Sequence, residues 1–410
     1  MRKLFLTFII VVLNVAGAYG QGKILFDATK AETSGNADWV IDADQTNLGY
    51  SSSTGLPYIG ASGYKSNPQR LPTPAQGGIT TSTAETYWTG SLSTWGVDLA
   101  NKGYTLETLP YNGSITYGDN TNAQDLANYK VFVIDEPNIK FSSAEKTALL
   151  RFVQNGGGLF MISDHNNSDR NNDGWDSPAI WNDLFTNNGV VANPFGISVD
   201  LKDFSGTFNY VVTAPNDSIL HGPMGNVTSV VWHNGTSLTL DPTKNASVQG
   251  VVHNTSPASG NSNVVVAYAR YGNGKVGMMT DSSPFDDGTG NPNANLYSSY
   301  ATEGSHRNVI MNMTIWLATA NPVSISQVNE RTAEISVYPN PSTGVVYVNA
   351  SSTIKGATID VYDLAGKMVL HIPATDLLKD VPISFHLSNG FYFVKISGAG
   401  FGSTQKVAIH

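Results

Sequence analysis

Acidic residues recur at the ends of apolar runs in this sequence. Asp27 ends the run 23–27, Asp135 and Glu136 end the run Val-Phe-Val-Ile-Asp, Asp164 and His165 follow the run 159–163, and Asp281 follows the run 275–280. Carboxylates gathered on one edge of a sheet repel one another unless a cation or shared protons neutralise them. A divalent metal held by Asp164, His165 and Asp281 is the simplest expectation. It would lower the pKa of its water to ~7 and deliver hydroxide to an ester, glycosidic or phosphodiester bond. Asp135, Glu136 or His306 would then serve as base or acid. The chain has no cysteine, so thiolate ligands, disulfides and Cys nucleophiles are excluded together.

A second oxygen-rich group follows closely. Asp169, Arg170, Asn171, Asn172, Asp173 and Gly174 reproduce the D-x-N-x-D-G opening of a calcium loop, with ligands at alternate positions and Gly for the bend. Position twelve is Ile180 where an EF-hand has Glu. The loop therefore takes calcium through Asp169, Asn171, Asp173 and Asp176, or is an Asn- and Asp-rich surface loop closed by its own turns. His221, His233 and His253 lack zinc spacing and read as surface or strand histidines. Ser163 lacks the flanking glycines of a nucleophile elbow.

The elements that position these groups follow from patterning. The runs 131–135 and 159–163 are wholly apolar before their acids, as in strands buried on both faces of a parallel sheet. Ser142 and Glu145 form a capping box before the apolar face of Leu149, Leu150, Phe152 and Val153, and Gly156 to Gly158 stop that helix. Residues 92–99 predict another helix and 104–109 a strand. Residues 264–269 and 275–280, joined through Gly272, Asn273 and Gly274, predict a hairpin. Val309, Met313, Trp316 and Leu317 mark a closing helix, with His306 at its start. Strand and helix alternation implies a parallel sheet, interrupted by β-rich segments between 196 and 240. Between Asn36 and Ser91 lies a long stretch with Trp39, Tyr50, Tyr58, Tyr64, Tyr87 and Trp88. Its aromatics either stack on sugar rings or build a local core.

The 410 residues carry a net charge of −9, and only 13% are charged. The acidity lies before Ile335, which argues against nucleic acid as a partner. Arg2 and Lys3, the apolar run 4–15 and small residues up to Gly20 have the order of a secretory signal cleaved after Gly20. No later run is long enough to cross a bilayer. The expected organisation is a leader over 1–20, an α/β domain over 21–322, a linker over 323–334 and a small all-β sandwich over 335–410.

Order and placement of the elements over about 23 to 320 resemble the class I glutamine-amidotransferase-like fold, including the trehalose utilisation family, within the flavodoxin-like group of parallel sheets. That fold places a nucleophile after the strand that follows a Gly-rich helix end. Here Asp164 and His165 stand at that turn and no His follows Asp281, so amidotransferase chemistry is not implied. In the last module Val337, Tyr338, Pro339, Asn340 and Pro341 with Gly344, then Ile359 to Asp363 with Gly366, then Gly390 to Ile396, resemble the type A C-terminal sorting domain of the type IX secretion system of Bacteroidetes. The resemblance implies that the secretion machinery is a partner, and that the chain passes the outer membrane and is released or attached at the surface. The functional expectation is a secreted, metal-dependent hydrolase of an extracellular polymer, polysaccharide preferred. The alternative is a cation-stabilised surface protein that binds carbohydrate or adheres without turnover.

Overall fold

The computed structural model describes residues 21–34, 37–42, 69–288, 296–319, 335–351, 353–377, 383–398 and 401–410. The expected leader and linker, and Tyr50, Tyr58 and Tyr64, lie outside the described residues. The chain divides into two compact units between Asn321 and Pro322.

In the first unit the main elements are β1 (Gly22–Asp27), α1 (Ser93–Asn101), β2 (Tyr104–Leu109), β3 (Val131–Asp135), α2 (Ser143–Gln154), β4 (Gly158–Ile162), α3 (Ser177–Thr186), β5 (Ile197–Val199), β6 (Phe204–Phe208), β7 (Val230–Gly235), β8 (Leu238–Leu240), β9 (Gln249–His253), β10 (Val264–Tyr271), β11 (Gly274–Met279) and α4 (His306–Ala318). The sheet runs β2-β1-β3-β4-β11-β10-β8-β5, with β9 also paired to β10. It is parallel from β2 to β11 and antiparallel beyond. The expectation of a parallel sheet is therefore corrected to a mixed one. The hairpin turn at Gly272, where φ is +58°, returns the chain within the sheet, so β10 and the strands it carries run against their neighbours.

Alternate side chains of the parallel strands enter opposite layers. Phe26, Val131, Val133 and Phe160 pack with Trp95 of α1 and Val309 and Met313 of α4. Leu25, Phe132, Ile134 and Met161 pack with Leu149 and Phe152 of α2 and Trp181 of α3. Each such side chain contributes about 1.5–3 kcal/mol by leaving water. Helix α2 starts at the expected capping box, with Ser142 N–H donating to Glu145 at 2.7 Å and Glu145 N–H to Ser142 Oγ at 3.3 Å. It ends before Gly156, whose φ of +113° suits glycine.

The second unit is all β. Strands β12 (Ile335–Tyr338), β13 (Val345–Ala350), β14 (Ile354–Asp363), β15 (Met368–Leu377), β16 (Ile383–His386), β17 (Gly390–Gly398) and β18 (Phe401–Ile409) form a three-stranded sheet, β12-β13-β16, and a four-stranded sheet, β15-β14-β17-β18. Val346, Val348, Ile359, Val361, Val394 and Ile396 fill the space between them. The sequence motifs have visible structural work. Asn340 Nδ2 donates to the Lys406 carbonyl at 2.7 Å and its Oδ1 accepts Ala408 N–H at 3.0 Å. Asp363 Oδ1 accepts the amides of Ala365 and Lys367, both at 2.9 Å, which folds the turn at Gly366.

Candidate active-site cleft

The carboxyl ends of β3, β4 and β11 are adjacent in the sheet, so the residues that follow them must meet. A cleft of about 320 Å³ opens there, with Asp164, His165, Arg170, His233, Asp281 and Tyr297 on its walls. The expected grouping of Asp164, His165 and Asp281 around one cavity is present. Its charge balance is not the expected one. Arg170 reaches in from the 169–177 loop and bridges two carboxylates, with Nε 2.8 Å from Glu136 Oε1 and Nη2 2.5 Å from Asp164 Oδ2. The side chain of Arg170 is 26% exposed, whereas those of Glu136 and Asp164 are 0% and 3% exposed. The guanidinium thus faces the cleft with its anions behind it.

Glu136 is held on every side. Its Oε2 accepts Trp39 Nε1–H at 2.8 Å and the Ser282 hydroxyl at 2.7 Å. Its backbone has φ of +45°, and Ala31 has +54°, conformations that cost about 1–3 kcal/mol outside glycine. The Asn138 side chain braces both residues. Its Nδ2 donates to the carbonyls of Ala31 and Glu136, each at 2.9 Å, and its Oδ1 accepts Arg170 N–H at 3.2 Å.

Asp281 is fixed by amides rather than by a cation. Oδ2 accepts His233 N–H at 2.6 Å and Oδ1 accepts Ser283 N–H at 2.9 Å. Gly235 permits this approach, since a Cβ there would lie 2.7 Å from that of Asp281. Burial pushes the Asp281 carboxyl up to about 6, with the amides opposing. Burial and the nearby Glu136 charge push Asp164 well above the carboxylate range, and Arg170 opposes them. Asp135 is buried beneath the cleft, and neither of its oxygens has a hydrogen-bond partner among the described residues. Burial, with Glu136, Asp281 and Asp286 nearby, drives its carboxyl toward the neutral form. At His165, Nδ1 lies 2.8 Å from the Asn166 carbonyl and Nε2 3.6 Å from Asp164 Oδ2. A carbonyl only accepts, so Nδ1 carries a proton, and in the neutral imidazole the lone pair is on Nε2.

Other expected site residues are placed elsewhere. His306 is wholly buried. Its Nε2 accepts Val231 N–H at 2.8 Å, its Nδ1 lies 3.0 Å from the Ser299 carbonyl, and burial lowers its pKa to about 4. It is a neutral joint between α4 and β7, a correction to its expected acid or base role. Asp27 caps a turn through Thr29 N–H at 3.0 Å. In the 169–177 loop, Asp169 accepts the amides of Asp173 and Gly174 at 3.1 and 2.8 Å, Asn171 lies 3.1 Å from Asp173, and Asp176 accepts Ala179 N–H at 2.9 Å as the cap of α3. These oxygens face their own backbone, which is the alternative of a loop closed by internal turns. Among the described residues no three His, Asp or Glu are grouped to hold a metal ion. Arg170 occupies Asp164 Oδ2 and backbone amides occupy both Asp281 oxygens, which counts against a metal held by Asp164, His165 and Asp281.

The described aromatics of the 36–91 stretch belong to the core. Trp39 and Trp88 are fully buried with Trp95. Sequence reasoning gave no site role to Asn138, Arg170, His233 or Tyr297. Arg170 had one visible signal: it is the only Lys or Arg between Arg151 and Lys202, set among acids.

Residues 336–410 match the family model described as a secretion system C-terminal sorting domain. No curated protein matches the chain. Among solved structures, the mmIFT52 N-terminal domain is similar at 14% identity, covering 73% of this chain and 99% of that one with a TM-score of 0.42. A cytoplasmic protein from Salmonella typhimurium is similar at 15% identity, covering 56% and 87% with a TM-score of 0.35. A thuA-like protein from Parabacteroides merdae is similar at 12% identity, covering 53% and 80% with a TM-score of 0.30. Likenesses this distant decide neither fold nor function. Among the described residues no helix is long and apolar enough to cross a membrane. The motif residues from Val337 to Ile396, the sandwich they build and the family match fall on the same segment, and residues 336–410 are a type IX secretion sorting domain that directs the chain to secretion or surface attachment through the outer membrane.

Proposed function

We propose that residues 21–322 are an exported hydrolase domain acting on an extracellular polymer, polysaccharide preferred, with acid–base chemistry in place of a bound metal. The observation that carries this reading is the Arg170–Asp164–His165 cluster beside Asp281 in one open cleft. The strand order β2-β1-β3-β4-β11 supports the flavodoxin- and amidotransferase-like reading of the domain, whose ligands lie beyond the carboxyl strand ends.

In this reading His165 Nε2 takes a proton from water as its oxygen bonds to an acyl carbon. The guanidinium of Arg170 faces the developing oxyanion. The imidazolium so formed at His165 returns that proton to the departing alkoxide as the carbon–oxygen bond breaks. A histidine base with a guanidinium suits ester substituents on a sugar chain. The rival reading, a surface protein that binds or adheres without turnover, draws support from the engagement of Asp164 Oδ2 by Arg170 and of both Asp281 oxygens by backbone amides.

The test incubates the full chain with acylated and unsubstituted polysaccharides, with and without EDTA. Turnover should survive the chelator and fall about 100-fold or more in His165→Ala. Loss of turnover in EDTA, restored by a divalent metal, would overturn the metal-free mechanism. Binding without turnover across the panel would install the rival.

A further inference from the structure

His233 and Tyr297 meet on the cleft wall as a parallel ring pair, with centroids 4.3 Å apart and planes 13° from parallel. Both are half-buried. Each is pinned from behind. His233 donates its N–H to Asp281 at 2.6 Å, and its Nε2 lies 2.7 Å from the Glu303 carboxylate. Tyr297 donates its N–H to Asp286 Oδ2 at 2.6 Å, where Leu296 N–H also donates at 2.6 Å, and Gly288 N–H closes on Oδ1 at 2.9 Å. A ring pair held at its backbone and at its edge is ordered before any ligand arrives, so the ligand does not bear that entropy.

Around the rings stand groups of a different kind. Asn234, Ser282 and Arg170 line the same cleft and supply hydrogen-bond partners at its sides. Burial and the charges of Asp281 and Asp164 raise the Tyr297 pKa, which keeps its hydroxyl a donor. A flat apolar face edged by donors and acceptors matches a pyranose, which has a C–H face and equatorial hydroxyls. The charges that act at Tyr297 are those of Asp281, Asp164 and Asp286 against that of Arg170, and the Glu303 carboxylate lies against His233. Phosphate, sulfate and uronate groups are disfavoured in such a field.

The geometry points to His233 and Tyr297 as a stacking subsite for an uncharged pyranose unit of a polysaccharide. This rests on the polysaccharide reading above and adds to it the subsite and the exclusion of acidic sugars. Calorimetric titration of the full chain with neutral gluco-, manno- and xylo-oligosaccharides, and with uronate oligosaccharides, tests it. The chain should bind a neutral oligosaccharide and not the uronates. Tyr297→Leu, which keeps bulk without a ring, should weaken binding roughly tenfold, and Tyr297→Phe by about threefold at most. Thermal melting of both variants confirms that they fold. If Tyr297→Leu binds as the unaltered chain does, the subsite is overturned while the polysaccharide reading stands. If uronates bind as well as neutral sugars, the charge assignment is overturned. If no oligosaccharide binds the unaltered chain, the subsite and the polysaccharide reading fall together.

Discussion

Arg170 governs the electrostatics of the cleft, because its guanidinium is the positive partner of both Glu136 and Asp164. Its replacement by Met leaves carboxylates in a poorly solvated site, and urea unfolding should show a loss of about 3–5 kcal/mol. Adding Glu136→Gln should recover part of that loss, which a simple packing defect would not. Asp281 gives a pH signature. Its folded pKa of about 6 lies above the ordinary aspartate value, so between roughly pH 4 and 6 the folded chain holds a proton that the unfolded chain has lost. Its contribution is complete below this window and disappears as pH rises through it. Unfolding midpoints should therefore fall from pH 4 to pH 7, by the equivalent of about 1–3 kcal/mol, and Asp281→Asn should flatten the slope. Asp164, His165 and Asp281 were legible as acids and imidazole beyond apolar strands. Arg170 was not, since nothing in a one-dimensional pattern says that the filler position of a turn points inward. His306 misled for the same reason: the start of a helix fixes the backbone, and packing fixes the ring.

At the scale of elements, the turn after β3 is held by one side chain. Asn138 satisfies the carbonyls of Ala31 and Glu136 and the amide of Arg170, joining β1, β3 and the 169–177 loop. Asn138→Ala strands these buried groups, and chemical denaturation should report a cost of about 2–4 kcal/mol. Lys275, at the amino end of β11 and so at the opposite end of the strands from the cleft, plays a similar part, donating to the carbonyls of Trp316 and Thr319 at 2.7 and 2.6 Å where α4 ends. Lys275→Met should lower stability by about 1.5–3 kcal/mol, and hydrogen exchange should quicken first in the last turn of α4. The strands β3 and β4, the capping box of α2 and the β10–β11 hairpin were readable because each follows from a local rule. The mixed character of the sheet was not. It depends on where the returning strand docks, which no local residue specifies.

At the scale of the molecule, function is divided along the chain. Residues 336–410 carry the address, and the cleft belongs entirely to the first unit. A chain without residues 336–410, expressed in a cell with a type IX system, should stay inside the outer membrane. The same segment fused to a reporter should carry that reporter out, as fractionation would show. The sorting domain was the most legible part of the sequence, because its ordered motifs pin strands directly, as Asn340 does for β18. The cleft of the first unit was only half legible, since its lining rests on tertiary approach. Arg170 is covalently part of the polypeptide, so it cannot be dialysed away, diluted or claimed by a competing chelating surface. A protein released into surroundings whose mineral content it does not control brings its own counterion, and the loop that carries it must stay folded for the carboxylates to stay together.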